Sequence, residues 1–241
     1  MKYLITILGP TAIGKTALSI QLANYFDCEI VSCDSRQFFK EMTIGTAVPS
    51  QTELNSAPHH FIQNKSIFQN YTVGDYEKEA ITKLNELFQK KNYAVLVGGS
   101  GLYVNAILEG FDTFPNIDIK IRNQIQENFD SKGLNYLQDL LKELDYDYYQ
   151  YILSNNPQTL QNPQRMMRFL EVCLGTGKPY SSFLNQEKKQ RNFIPILIGL
   201  ESNREEMYQR INKRVDIMIS EGLVDEAKIL LEHKNLNALQ T

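Results

Sequence analysis

Gly9-Pro10-Thr11-Ala12-Ile13-Gly14-Lys15-Thr16 decides the fold class of this chain. The octapeptide satisfies every fixed position of the phosphate-loop pattern GxxxxGK[ST] and stands where that pattern must stand. Before it, Tyr3-Leu4-Ile5-Thr6-Ile7-Leu8 reads as a strand; after it, Ala17, Leu18, Ile20, Leu22 and Ala23 recur at helical spacing. Backbone N–H groups of such a loop face a phosphate, and the following helix dipole favours its charge. Lys15 then supplies a mobile cation, and the Thr16 hydroxyl can ligate Mg2+.

Working outward, a second short strand is predicted at 29–33 and a third at 93–97. The third is preceded by the amphipathic stripe Tyr76, Ala80, Ile81, Leu84, Leu87 and Phe88. A fourth apolar run, 193–199, precedes Met207, Ile211, Val215 and Met218, again at helical spacing. Strands alternating with helices predict an α/β fold: a P-loop NTPase-like parallel sheet covered by helices on both faces. From 112 to 191 no strand-like run occurs, and breaks at Gly133, Asn155-Asn156-Pro157 and Gly175 to Pro179 predict an all-helical insertion. The expected division is therefore 1–111 and 192–241 for the core domain and 112–191 for the insertion.

The 241 residues are 42% hydrophobic and 22% charged, ordinary globular usage that excludes collagen-like, disordered and disulfide-scaffold classes. No apolar run approaches membrane-span length and the N-terminus carries no export signal, so a cytoplasmic protein without a membrane segment is expected. Cys28, Cys33 and Cys173 form no CxxC pair and read as reduced thiols. A formal charge of −3 argues against a uniformly basic nucleic-acid binder, but not against local basic surface.

Three further groups of residues carry chemistry. NTP-hydrolysing phosphate-loop proteins usually place an Asp after a later strand to hold the Mg2+ shell. Here the third strand runs into Gly98-Gly99-Ser100-Gly101 instead, which disfavours a motor or switch NTPase and lets a second loop approach closely. Asp34, at the end of the second strand, faces the same crevice; it could take a proton from a nucleophile, hold a ribose or metal, or be a solvated turn residue. Two arginine pairs, Arg165 with Arg168 and Arg210 with Arg214, have helical spacing and could grip phosphates or merely be solvated. Adjacent His59 and His60 would point to opposite faces of a strand, which makes a two-histidine metal site a poor reading.

These segments, taken in order, resemble the tRNA dimethylallyltransferase (tRNA isopentenyltransferase) family over nearly the whole chain. The resemblance rests on the phosphate loop, Asp34-Ser35-Arg36-Gln37, Ile44-Gly45-Thr46-Ala47, Pro58-His59-His60 and Gly98-Gly99-Ser100-Gly101-Leu102-Tyr103. It continues through Gln164-Arg165 with Arg168-Phe169-Leu170-Glu171-Val172, and Arg214-Val215-Asp216 with Met218 and Gly222-Leu223. Departures are Ser100 for the usual Thr and Asn162 for the usual Asp. The family also continues past Leu239-Gln240-Thr241 with a glycine–tyrosine segment and further helices, so a truncated C-terminus is expected.

The resemblance implies transfer of the five-carbon unit of dimethylallyl diphosphate to the N6 amine of the adenine 3′ of the anticodon, with release of diphosphate. It implies that Gly9 through Thr16, together with Arg214, hold the diphosphate, and that Thr16 and Ser100 position Mg2+. Asp34 would accept the amine proton from an adenine that enters a channel between core and insertion. Contacts to the tRNA anticodon stem-loop are implied for Asp34, Ser35, Arg36, Gln37, Ser100, Arg122, Gln164, Arg165, Met166, Met167 and Arg168. A monomer is expected. Two alternatives stay open on the residues alone: a P-loop small-molecule kinase, and a nucleotide-dependent RNA-binding module without chemistry. Charge is segregated along the chain: 112–156 holds eight acids against four bases, whereas 161–214 holds ten bases against five acids. The second of these stretches is therefore expected to face RNA.

Overall fold

The computed structural model describes residues 1–110, 112, 114–184 and 189–240. It divides into two compact units, Met1–Phe111 with Lys189–Thr241, and Asp112–Lys188. Residues 189–191, expected in the insertion, go with the core unit, because Lys189 and Arg191 both pair with the buried Glu77, at 2.9 and 2.8 Å. Glu187 and Lys188, which enter the charge count, lie outside the described residues.

The core unit is built on a five-stranded parallel sheet of order β3-β2-β4-β1-β5. Its strands are β1 (Tyr3–Leu8), β2 (Ile30–Ser32), β3 (His59–His60), β4 (Tyr93–Val97) and β5 (Ile194–Gly199). Helices α1 (Lys15–Tyr25), α2 (Gln51–Ser56), α3 (Val73–Lys90) and α4 (Gly101–Leu108) fall between strands, as parallel pairing requires. After β5 come α8 (Arg204–Ser220), α9 (Leu223–Leu231) and α10 (Asn237–Gln240), the numbers α5 to α7 belonging to the second unit. Ile5, Ile7, Ala23, Ile30 and Val95 form the core on one side of the sheet; Phe38, Tyr76, Leu84, Leu96 and Ile107 form it on the other. Tyr76 is fully buried, and its hydroxyl donates to the Ser32 carbonyl at 2.9 Å, which fixes the end of β2 just before Asp34.

Two details add to the expected sheet. The two-residue β3 at His59–His60 joins the four strands predicted from apolar runs, pairing with β2. The sheet is parallel and flanked by helices as expected, with Ile194 and Leu197 of β5 47% and 59% exposed. Among the described residues that strand is an edge, paired with β1.

The second unit holds α5 (Ile119–Leu144), α6 (Tyr146–Asn155), a 3-10 turn at Pro157–Gln161 and α7 (Pro163–Thr176). Leu137, Leu141, Met166 and Leu170 lie at its centre. Gly133 kinks α5 with φ 76°, a conformation other residues rarely adopt. The break expected between Gly175 and Pro179 falls at Gly177, whose φ of 67° caps α7. Gly175 stays helical, and a Cβ there would stand 2.5 Å from the Ile117 side chain.

Candidate active site

The C-terminal ends of β1, β2 and β4 bring three loops together, the crevice at which parallel sheets bind ligands. The phosphate loop follows β1. Its turn needs left-handed backbone at Ala12 (φ 63°) and Gly14 (φ 103°), and α1 begins directly at Lys15, so the helix N-terminus points along the loop. Lys15 Nζ donates to the carbonyls of Gly9 and Pro10, both at 2.8 Å. Burial lowers the pKa of this ammonium below 10.5; Asp34 opposes that shift and the Arg214 guanidinium adds to it.

Asp34 follows β2 and sits in a tight turn. One carboxylate oxygen accepts the Arg36 backbone N–H at 3.2 Å, and the Asp34 N–H donates to Ser32 Oγ at 3.3 Å. The other oxygen, Oδ2, lies 3.9 Å from where a Cβ on Gly99 would stand. The carboxylate is therefore oriented by local backbone, with an oxygen to spare for an incoming proton.

Lys15, Thr16, Asp34, Gln37, Gly99 and Arg214 line one cavity of about 570 Å³. A smaller cavity of about 40 Å³ beneath the loop shares Thr16, Asp34 and Gln37 with it. Thr11, Ala12, Ile13 and Gly14 also line the larger cavity, whereas Gly9 and Pro10 serve as the acceptors of Lys15. Arg214 arrives from α8 beside Val215 and Met218. Its expected partner Arg210 does not line the cavity.

Ser100 is the N-terminal cap of α4, makes no capping bond with its side chain, and does not line this cavity. With Ser35, Arg36, Tyr71 and Tyr103 it walls a neighbouring cavity of about 290 Å³. Arg36 borders both, and its Nη1 donates to the Ala238 carbonyl at 2.7 Å. His59 and His60 make separate contacts, Nδ1 of the first with the Ala57 carbonyl and Nε2 of the second with Glu29. Among the described residues no cluster of three or more His, Cys, Asp or Glu could hold a metal.

In the second unit, Arg122 donates to Glu171 and to Gln164, both at 3.2 Å, and Arg168 pairs with the same Glu171 at 3.3 Å. Arg165 donates to Thr159 Oγ1 at 3.2 Å. Arg122 and Arg168 thus meet at one carboxylate, and Gln164 holds the other side of the Arg122 guanidinium. Met166 and Met167 correct the expectation that residues 164–168 all contact RNA: they are 0% and 2% exposed, because helical periodicity turns them into the unit's core.

Sequence reasoning missed Glu226. Its carboxylate accepts the backbone N–H groups of Thr43, Ile44 and Gly45 at 2.8 to 2.9 Å. An acid in the first turn of a helix is ordinarily a partner of its own dipole, so nothing local marked it.

The model of the family described as IPP transferase matches residues 37–241. This chain belongs to the IPP transferase family. The tRNA dimethylallyltransferases of Flavobacterium johnsoniae and Flavobacterium psychrophilum are each 70% identical to it over all 241 residues, covering 78% of those relatives. Among solved structures it is similar to the full-length tRNA isopentenylpyrophosphate transferase of Bacillus halodurans. That likeness has 33% identity and a TM-score of 0.66, over 100% of this chain and 74% of the other. A eukaryotic dimethylallyltransferase described as acting on tRNA matches with a TM-score of 0.76 and 27% identity, over 98% of this chain and 57% of the other. The family model begins after the phosphate loop and Asp34, so the site described above extends beyond the matched segment.

Proposed function

We propose that this family member transfers the dimethylallyl group of dimethylallyl diphosphate to the N6 amine of the adenine 3′ of a tRNA anticodon. Dimethylallyl transfer to tRNA, a prenyltransferase reaction, follows from family membership and the 70% identical relatives. The diphosphate donor, the target atom and the residue roles are our reading of the site.

One observation carries that reading. Lys15, Thr16 and Arg214 share a single cavity with Asp34, while Val97, which ends β4, leads into glycines and no acid. Such a cavity grips a diphosphate and offers Asp34 as the base, since its other carboxylate, Glu53, is taken up by the Ser50 backbone N–H and hydroxyl in the cap of α2. Lys15, the loop amides and Arg214 hold the charge that grows on the departing diphosphate oxygen. As the C1–O bond of the donor breaks and the N6–C1 bond forms, Asp34 takes the amine proton.

Thr16 offers a hydroxyl oxygen to the cavity, and Ser100, a second hydroxyl, directly follows Gly99 of its lining. This small hard set suits Mg2+ that keeps most of its waters and leans on substrate phosphates, rather than an all-protein cage. Bound there, Mg2+ supplies charge neutralisation on the leaving diphosphate. Ser100 also lines the neighbouring cavity with Tyr71 and Tyr103, and there it is proposed to contact tRNA as well. Ser35, Arg36 and Gln37 in the core unit, and Arg122, Gln164, Arg165 and Arg168 in the second unit, are the proposed tRNA contacts.

Among the described residues no helix is long and apolar enough to cross a membrane. We place the protein in the cytoplasm as a monomer, which sedimentation at several concentrations tests. The decisive assay incubates the protein with tRNA and dimethylallyl diphosphate and looks for isopentenyladenosine by mass spectrometry of the digested RNA. Its absence, with phosphate transfer from ATP to a small acceptor instead, would return the site to a kinase.

A further inference from the structure

Glu226 joins two walls of the diphosphate cavity that are far apart in sequence. Its Oε2 accepts from Thr43 at 2.9 Å and Ile44 at 2.8 Å, and its Oε1 from Gly45 at 2.8 Å. Three successive amides converging on one anion form a nest, and hydrogen bonds to a charged acceptor are the strong ones. The fit is close: a Cβ on Gly45 would stand 3.2 Å from Leu223 and 3.3 Å from the Glu226 carboxylate itself.

What the nest holds in place matters for the cavity. Residues Gly45, Thr46 and Ala47 form one wall; Arg214, Val215 and Met218 form another. Arg214 lies on α8, and α9 with Glu226 follows through Gly222, whose φ is 104°. The clamped loop in turn accepts both donors of the Gln37 amide, at the Thr46 carbonyl (3.1 Å) and the Ala47 carbonyl (3.0 Å). Ala47 is held at φ 48°, a strained value for alanine that the surrounding bonds must maintain.

We propose that Glu226 is a positioning residue that latches the helix pair bearing Arg214 to the Thr43–Ala47 loop and so sets the width of the diphosphate cavity. It acts on binding of the diphosphate group and leaves proton transfer to Asp34. The inference rests on the cavity being the diphosphate site.

Pyrophosphate with Mg2+ is titrated calorimetrically into the wild-type chain, Glu226→Ala and Glu226→Gln, and KM and kcat are measured with dimethylallyl diphosphate. The alanine variant should weaken pyrophosphate binding and raise KM by about tenfold or more, with kcat within about threefold. Glutamine, which turns an NH2 donor towards amide donors, should fall between. Acetate at high concentration, as a carboxylate that can re-enter the nest, should restore affinity to the alanine variant and not change the wild type. Wild-type affinity in a folded alanine variant overturns the latch, as does a fall in kcat at unchanged KM. Should the alanine variant fail to fold, wild-type affinity in the glutamine variant overturns it equally. Failure of the wild-type chain itself to bind pyrophosphate is a different result, and removes the assignment of the cavity.

Discussion

Gly98 lies against Cys33 so closely that a Cβ on the glycine would stand 2.6 Å from both the Cys33 carbonyl carbon and its Sγ. The same atom would be 2.8 Å from the Asp34 backbone nitrogen. The second loop thus reaches the base-bearing strand by surrendering a side chain. Gly98→Ala should destabilise the protein by about 2–3 kcal/mol, because the clash is with backbone and cannot be relieved by a rotamer change. A denaturant midpoint unchanged from wild type would contradict this packing.

Asp34→Asn keeps size and the turn bond from Arg36 while removing the basic oxygen. Turnover should fall by roughly 10²- to 10⁴-fold with pyrophosphate affinity nearly intact. Near-normal single-turnover rates would take the role of base away from Asp34.

Arg165 and Arg168 project from α7 while Met166 and Met167 between them are buried. Replacing both arginines with alanine should flatten the dependence of log tRNA affinity on log salt by up to about 2, at about 0.7 to 0.9 per phosphate contact. Pyrophosphate binding should be spared. A salt slope and affinity that both survive the double replacement would show that this face of α7 does not meet RNA.

Glu77 gives the core a predictable response to acid. Burial alone would raise its carboxyl pKa, but hydrogen bonds and charges from Arg191 and Lys189 outweigh burial and hold it below the ordinary 4.5. A folded-state pKa below the unfolded one contributes stability that is present above about pH 4.5 and is lost as pH falls through the folded value. Glu77→Gln should therefore be less stable at pH 7, by about 1–3 kcal/mol, and lose less on going from pH 5 to pH 3. Parallel pH–stability curves for the two proteins would remove Glu77 from the acid response.

How far the sequence speaks for itself depends on whether a residue's partner is near it in the chain. The phosphate loop, β1 and β4 were legible because spacing and alternation are local, and β4 occupies the predicted residues 93–97. Asp34 was legible as the acid closing a short strand. Partners at long range were not. Nothing near Gly98 announces that Cys33 presses on it, and nothing near Glu226 announces three amides 181 to 183 residues earlier. Ser100 was legible as a hydroxyl in the loop after β4, but not its share in the cavity of Tyr71 and Tyr103, since Tyr71 comes from ahead of α3. Met166 and Met167 were carried along with their motif, although helical phase alone separates them from Arg165 and Arg168.

The interior strand β1 is made first, yet one of its two partners, β5, is separated from it by the entire second unit. Chain leaves the core at Gly110 and resumes at Lys189, and these points are neighbours: a Cβ on Gly110 would touch the Lys189 side chain at 2.7 Å. During synthesis, then, one side of β1 stays unpaired until residue 199 has left the ribosome, and the intervening helices are completed while it waits. The same closeness means that lengthening or shortening the segment between 110 and 189 leaves the sheet register undisturbed. The core can tolerate descent with a remodelled insertion so long as the two ends still meet.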